Sequence, residues 1–330
     1  MRGFLTGSLL ILAIVGGAAG LGWWWLNAPM SLKTQVIDLA IEPGTSPRSV
    51  AQAAVDAGVQ TSAQALFTWF RLSGQARQIK AGSYELTGEL SPRGLLSMLV
   101  RGDEALRALT LVEGWNTRQM RAALRKAEHL IPESSGLEPD LIMEKLNRPG
   151  QPFEGSFYPD TYTYAKGSSD LAVLARAMRA MDTHLAAAWQ ARASDLPLRT
   201  PAELLTLASI IEKETGRASD RAMIASVFAN RLRTGMPLQT DPTVIYGMGD
   251  TFDGNLRRRD LQTDTPWNTY TRGGLPPTPI AMPGKAALLA AAQPAASRAL
   301  YFVARGDGSS EFSDNLAAHN RAVNKFQRGQ

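Results

Sequence analysis

Apolar and polar positions divide the chain into one unbroken apolar run and a body in which the two alternate with helix or strand periods. Residues 4–26 contain no charged side chain. As a helix this run would be about 34 Å long, enough to cross a hydrocarbon core of about 30 Å. Arg2 precedes it, and Trp23-Trp24-Trp25 closes it like an interfacial aromatic belt. A cleaved signal peptide, with small residues near 16–20 as the processing site, is the competing reading. Signal peptides have shorter apolar cores, about 7–15 residues. The run is therefore expected to be a retained single-pass anchor, with the N-terminus in the cytoplasm and the remaining chain outside it.

The body begins after a short linker containing Pro29. Residues 35–41 alternate as a strand and close at the turn Glu42-Pro-Gly-Thr45. Helices are expected over 50–57, stopped by Gly58, and over 62–72, stopped by Gly74. A strand over 80–86 and a helix over 93–100 follow, the latter closed by Gly102. This order is that of a small α+β module. A strand over 105–112 and a helix over 117–127 come next, then a Pro- and Gly-rich loop at 149–155 and a helix over 169–193. Thr200-Pro-Ala-Glu203 reads as a capping box with proline at the first helical position, starting a helix that ends at Gly216. Another helix is expected over 220–233, stopped by Gly235. The chain is then read as loop-rich, with a short helix over 286–291, a strand over 300–304 and a last helix over 315–327. The fold class is α+β, with no internal repeat.

Within the helix ending at Gly216, Glu212 and Glu214 lie two residues apart, which turns them about 200° from each other. Leu204, Leu207, Ile210 and Ile211 form an apolar stripe that includes the direction of Glu214, whereas Glu212 points nearly the opposite way. A carboxyl on an apolar stripe is desolvated, which disfavours its charged form. A carboxylic acid that keeps its proton near neutral pH suits cleavage of a glycosidic bond. The plainer alternative is a helix-end carboxylate bonded to a neighbouring arginine. Glu212 is expected to be structural, holding Arg231 or a loop amide.

Composition removes several other chemistries. The chain has no cysteine, so disulfides, thiolate metal sites and cysteine nucleophiles are excluded. Its 3 histidines, His129, His184 and His319, have no metal-ligand spacing. No cofactor is expected. Net charge is +5, and the basic run Arg257-Arg258-Arg259 lacks interleaved aromatics, so it reads as a solvated face and no nucleic acid is expected as a partner. Gly247-Met-Gly249 lacks the setting of a phosphate loop. Gln239-Thr240-Asp241-Pro242 is either an Asx turn before proline or a set of polar groups for a sugar. Phe157, Tyr158, Tyr162, Tyr246 and Tyr270 could stack on sugar faces or simply pack.

Five segments occur together in one order: Glu154-Gly-Ser-Phe-Tyr-Pro-Asp-Thr-Tyr162, Ala208-Ser-Ile-Ile-Glu-Lys-Glu214, Ala225-Ser-Val-Phe-Ala-Asn-Arg-Leu232, Met236-Pro-Leu-Gln-Thr-Asp-Pro-Thr-Val-Ile-Tyr246, and Asn268-Thr-Tyr270 before Gly274-Leu-Pro-Pro277. With these motifs the chain closely resembles the endolytic murein transglycosylase family (MltG, YceG-like), over essentially its whole length. Met282 stands where many relatives carry Asn before Pro-Gly.

The resemblance implies an anchor over residues 1–29, a LysM-like module over 30–103 and a catalytic domain over 104–330 with a lysozyme-like helical core. It implies a bacterial inner-membrane enzyme facing the cell wall. Such an enzyme cuts the β-1,4 bond between N-acetylmuramic acid and N-acetylglucosamine inside nascent glycan strands and leaves 1,6-anhydro ends. Peptidoglycan synthases are its expected partners. Glu214 takes the place of the catalytic acid. Glu154, Tyr158, Asp160, Gln239, Thr240, Asp241, Tyr246, Asn268 and Tyr270 are expected to contact substrate, with Glu212, Asn230 and Arg231 structural near the site. An anchored wall-binding scaffold and a hydrolytic muramidase are the alternatives.

Overall fold

Serine caps and strand alternation build the first half of the chain. The computed structural model describes residues 2–328, with side chains from residue 15 onward. Helix α1 (Arg2–Asn27) contains the apolar run, of which residues 4–14 fall outside those with described side chains. Among the described residues no helix is long and apolar enough to cross a membrane. Strand β1 (Ser31–Leu32) precedes β2 (Val36–Ile41), which alternates strictly between exposed and buried positions. Helix α2 (Pro47–Ala57) starts at Ser46, whose hydroxyl accepts from the Ser49 amide, and has proline in its first turn. Next come β3 (Val59–Gln60) and α3 (Ala63–Leu72), the latter capped by Ser62. Strand β4 (Gly82–Thr87) pairs antiparallel with β2, in register from Val36 opposite Thr87 to Ile41 opposite Gly82. Helix α4 (Pro92–Arg101) is capped by Ser91 and stopped by Gly102 at φ 77°. Ile37, Leu39, Leu66, Phe70, Leu86 and Leu95 are buried together between the β2–β4 ladder and these helices. The expected order of strand, two helices and strand is what forms.

The chain divides into two compact units, Met1–Arg107 with Thr163–Gly167, and Ala108–Tyr162 with Ser168–Gln330. It passes between them within β5 (Leu106–Thr110) and its partner β6 (Thr161–Ala165). Between these strands lie α5 (Thr117–Lys126) and α6 (Pro139–Lys145). Strand β6 is an addition to the sequence reading. Its buried Tyr162 and Tyr164 alternate with exposed threonines, a pattern hidden at the edge of an aromatic loop.

The second unit is mainly helical. α7 (Asp170–Gln190), α8 (Pro201–Glu214), α9 (Ala218–Thr234) and α12 (Lys285–Ala292) pack around α8 as the centre. Two short helices, α10 (Asp241–Met248) and α11 (Arg258–Gln262), lie between α9 and α12. The chain ends with the hairpin β7 (Tyr301–Ala304) and β8 (Ser310–Ser313), followed by α13 (Leu316–Gln327). Of the two readings of Gln239-Thr240-Asp241-Pro242, the Asx turn does not form, and Asp241 instead starts α10. Thr240 is its N-cap and Pro242 falls in its first turn, where a fixed φ favours helix. The apolar stripe of α8 is also too narrow a description. Every residue from Leu204 to Ile211 is buried, because α7, α9, α10 and α12 all pack against α8.

Candidate active site

The two carboxylates of α8 separate as their spacing requires, and both are desolvated. Thr200 caps the helix by accepting from the Glu203 amide at 3.2 Å, while Glu203 accepts from the Arg199 amide rather than from the cap residue itself. At the other end, Glu212 accepts from the Gly284 amide at 2.9 Å. Glu214, the last residue of the helix, accepts from the Thr240 hydroxyl. Burial raises the pKa of Glu212, opposed by the Gly284 amide. Burial also raises that of Glu214. The Thr240 hydroxyl and Arg231 oppose this rise, and the charge of Asp241 adds to it. The negative end of the helix dipole acts in the same direction. Burial alone therefore does not distinguish the two acids; their partners do. Glu212 is bonded to a loop backbone, whereas Glu214 faces a cleft.

The loop that meets Glu214 is rigidly braced. Gln239 adopts φ 47°, a conformation uncommon for a residue with a side chain, and its amide donates to the Thr269 carbonyl at 3.1 Å. The Thr240 amide donates to the Thr269 hydroxyl at 3.1 Å, and the Thr243 hydroxyl donates to the Thr240 carbonyl at 2.7 Å. Arg231, buried on α9, donates from Nη1 to the Leu238 carbonyl at 2.6 Å and from Nε to the Leu300 carbonyl at 2.7 Å. One side chain thus joins the approach to Gln239 with the entry to β7. Its neighbour Asn230 donates to the carbonyls of Ser297 and Ala299, both at 2.9 Å.

A cleft of about 550 Å³ opens at Glu214. Arg231, Gln239, Asp241 and Tyr270 line one side, and Asp241 accepts from the Tyr270 hydroxyl at 2.6 Å. The opposite wall comes from β7 and α13, including Tyr301, His319 and Asn320. Tyr301 and His319 stack with centroids 5.1 Å apart, and the Arg231 guanidinium lies 5.4 Å from the Tyr301 ring centroid. Burial and the charge of Arg231 lower the pKa of His319. Among the described residues no group of acids and histidines could hold a metal ion.

Six residues expected to contact substrate lie outside this lining; one is the buried Thr240, whose hydroxyl is bonded to Glu214. Glu154 is buried and accepts from the Thr117 amide at 3.1 Å and from the Tyr246 hydroxyl at 3.1 Å, bonds that oppose the rise burial gives its pKa. Tyr246 also packs edge-on against Trp267. Tyr158 is buried in the helical core, stacked on His184 at 3.9 Å. The exposed Asp160 accepts from the amide of Thr161. Asn268 is fully buried, with its amide donating to the Leu261 and Thr263 carbonyls and accepting from the Tyr270 amide. Asn268 therefore shapes the loop that presents Tyr270.

Comparison with known proteins places this site in a family. The sequence model of the YceG-like family matches residues 39–325. The chain belongs to the YceG-like family. Among its relatives is an endolytic murein transglycosylase of Bacillus subtilis, 30% identical over 95% of this chain and 91% of the relative. Another is an endolytic murein transglycosylase of Streptococcus pneumoniae, 25% identical over 98% of this chain. The chain spans 65% of that longer relative. The crystal structure of a YceG-like protein from Listeria monocytogenes matches with a TM-score of 0.56 and 28% identity, covering 87% of this chain and 98% of the other.

In this YceG-like chain the cleft residues missed by sequence reasoning include Tyr301, His319 and Asn320, and the buried Thr243 and Thr269, also missed, brace the loop at Thr240. Thr269 sits between Asn268 and Tyr270, and its inward direction was the available signal. The histidines show neither metal-ligand spacing nor a nucleophile-elbow motif, so nothing in the sequence points to His319 on the last helix.

Two predictions arise here. Thr240→Val removes the hydroxyl that favours the ionised form of Glu214, so its pKa rises further. The high-pH limb of the kcat/KM profile should then move to higher pH; an unmoved limb would separate Thr240 from the titration. Gly155 adopts φ 79°, and a Cβ there would lie 2.5 Å from Cβ of Pro279. Gly155→Ala should cost about 3 kcal/mol in denaturant unfolding, from the left-handed backbone and the clash with a rigid ring.

Proposed function

We propose that this chain is an endolytic lytic transglycosylase of peptidoglycan, a lyase with Glu214 as its acid and base. The observation that carries the reading is Glu214 itself, a desolvated carboxyl at a helix end, held by the Thr240 hydroxyl and open to a cleft. The names of the relatives support the same activity.

In this mechanism protonated Glu214 donates to the glycosidic oxygen between N-acetylmuramic acid and N-acetylglucosamine. The resulting carboxylate accepts the proton of the muramic C6 hydroxyl, whose oxygen attacks C1 and closes the 1,6-anhydro ring. The C1–oxygen bond to the leaving sugar breaks, the ring C1–O6 bond forms, and the proton returns to Glu214. Ordinary glycosidases use two carboxylates; here the substrate supplies the nucleophile. Gln239, Asp241 and Tyr270 orient the strand beside Glu214.

Asp241 favours a second reading, because it shares the cleft with Glu214. If it activated water, the enzyme would be a muramidase. Mass spectrometry of digested glycan strands separates the two. The lyase conserves total mass at each cut, whereas hydrolysis adds one water. Binding to sacculi without soluble products would leave a scaffold.

The same proposal takes the apolar run of α1 as a single inner-membrane anchor, with the N-terminus cytoplasmic and the catalytic body periplasmic. Residues 30–103 serve as a LysM-like module and 104–330 as the catalytic domain, with a lysozyme-like core of α7, α8, α9 and α12. Peptidoglycan synthases are the partners that would supply nascent strands.

A further inference from the structure

The first unit carries an apolar cleft that plays no part in the chemistry at Glu214. It has a volume of about 500 Å³ and lies between the end of α1 and one side of α3. Gly22, Trp25 and Leu26 line it from α1, and Ala65, Trp69 and Leu72 from α3, with the uncharged polar Ser62, Gln64 and Thr68 beside them. The three α3 residues recur at the spacing of one helical face. The adjacent face of α3, about 100° round the helix, is already used, since Leu66 and Phe70 are buried in the unit's core, and Trp25 and Trp69 pack against the edge of that core. Leu72 is 80% exposed, and Trp23 and Trp24 beside the cleft are each 65% exposed. α3 contains no acidic residue, and Arg71 stands in its last turn.

The connection between α1 and the rest of the unit is short and fixed. α1 ends at Asn27, and Met30 is buried in the core with its amide bonded to the Leu90 carbonyl at 3.0 Å. Three residues span at most about 10 Å. The α3 face reaches alongside Gly22, four residues before Leu26. That is about 6 Å back along the α1 axis, towards the apolar run. Interfacial helices bury their apolar faces about 5–10 Å into the boundary between headgroups and acyl chains.

We propose that the Ala65–Trp69–Leu72 face of α3 seats in the outer headgroup–acyl boundary of the bilayer crossed by α1, so that the first unit rests on the membrane surface. The occupant of the cleft is lipid: its floor is apolar, its rim is tryptophan, its one charged neighbour on α3 is cationic, and it adjoins the anchor. These are the features of an interfacial contact. The inference rests on the reading of α1 as an anchor.

The absence of cysteine makes the test direct. Leu72→Cys and, on the exposed side of α2, Gln52→Cys each take one environment-sensitive fluorophore in the full chain. Both are reconstituted into vesicles of phosphatidylethanolamine and phosphatidylglycerol. The label at 72 should emit further to the blue and be quenched by headgroup-level spin-labelled lipid. Its quenching by aqueous iodide should be about threefold weaker than at 52, as expected for a group below the headgroups. A chain that floats with vesicles but carries an iodide-accessible label at 72 overturns this inference and leaves the anchor standing. A label shielded from iodide yet untouched by spin-labelled lipid also overturns it, because protein then covers the face. A full chain that fails to float overturns both.

Discussion

Glu214→Gln should lower the rate of strand cleavage by about 10⁴-fold, because one group supplies both proton transfers and each such step is worth about 10²–10⁴. Glutamine keeps the side-chain shape and can still accept from the Thr240 hydroxyl, so folding and sacculus binding should survive. Stability should change in the opposite direction to activity. Burial raises the folded-state pKa of Glu214 above its unfolded value. Such a carboxyl costs no stability at low pH, where it is protonated in both states. Its cost grows as pH rises from the unfolded pKa to the folded pKa and then stays constant. The variant should therefore have a higher Tm than the parent near neutral pH and an equal one in acid. Full activity in Glu214→Gln would remove this residue from the mechanism.

Arg231→Met should be the most destabilising single change near the cleft. The guanidinium is buried and donates to the carbonyls of Leu238 and Leu300. Removing it leaves two buried acceptors unpaired, each at about 1–3 kcal/mol, or about 4 kcal/mol in all. The cation also lowers the pKa of Glu214. Without it Glu214 holds its proton more tightly, and the high-pH limb of kcat/KM should move to higher pH. Arg231→Lys keeps the charge but not the fork of donors. It should lose stability while leaving the limb near its original place. Equal limb shifts in both variants would show that geometry rather than charge links Arg231 to Glu214. Denaturant midpoints and pH–rate profiles on glycan strands measure the two effects separately.

Much of this architecture is local and therefore readable from the chain. Ser46, Ser62 and Ser91 cap α2, α3 and α4, and Gly58, Gly102 and Gly235 end α2, α4 and α9. These signals act within a few residues, where hydrogen bonding and backbone freedom decide the outcome. The short elements were less legible. Strand β8 and helix α10 are too brief to show a period, and Pro242 reads equally as turn or helix start until Thr240 is seen as the cap.

The site divides in the same way. The helical spacing of Glu212 and Glu214 sends them to different partners, and that follows from 3.6 residues per turn alone. The burial of both carboxylates does not, because it depends on the loop at Gly284 meeting Glu212 and the loop at Thr240 meeting Glu214. Asn268 shares a motif with the cleft residue Tyr270 but is buried outside the lining, and the segment of Tyr158 contributes nothing to it. Tyr301 and His319, about 90 and 105 residues beyond Glu214, form its opposite wall. Sequence alone determined the long helices, many of their ends and the opposed directions of Glu212 and Glu214. Tertiary structure decided which polar groups face the cleft and which satisfy backbone, because long-range packing sets each group's solvation and partners.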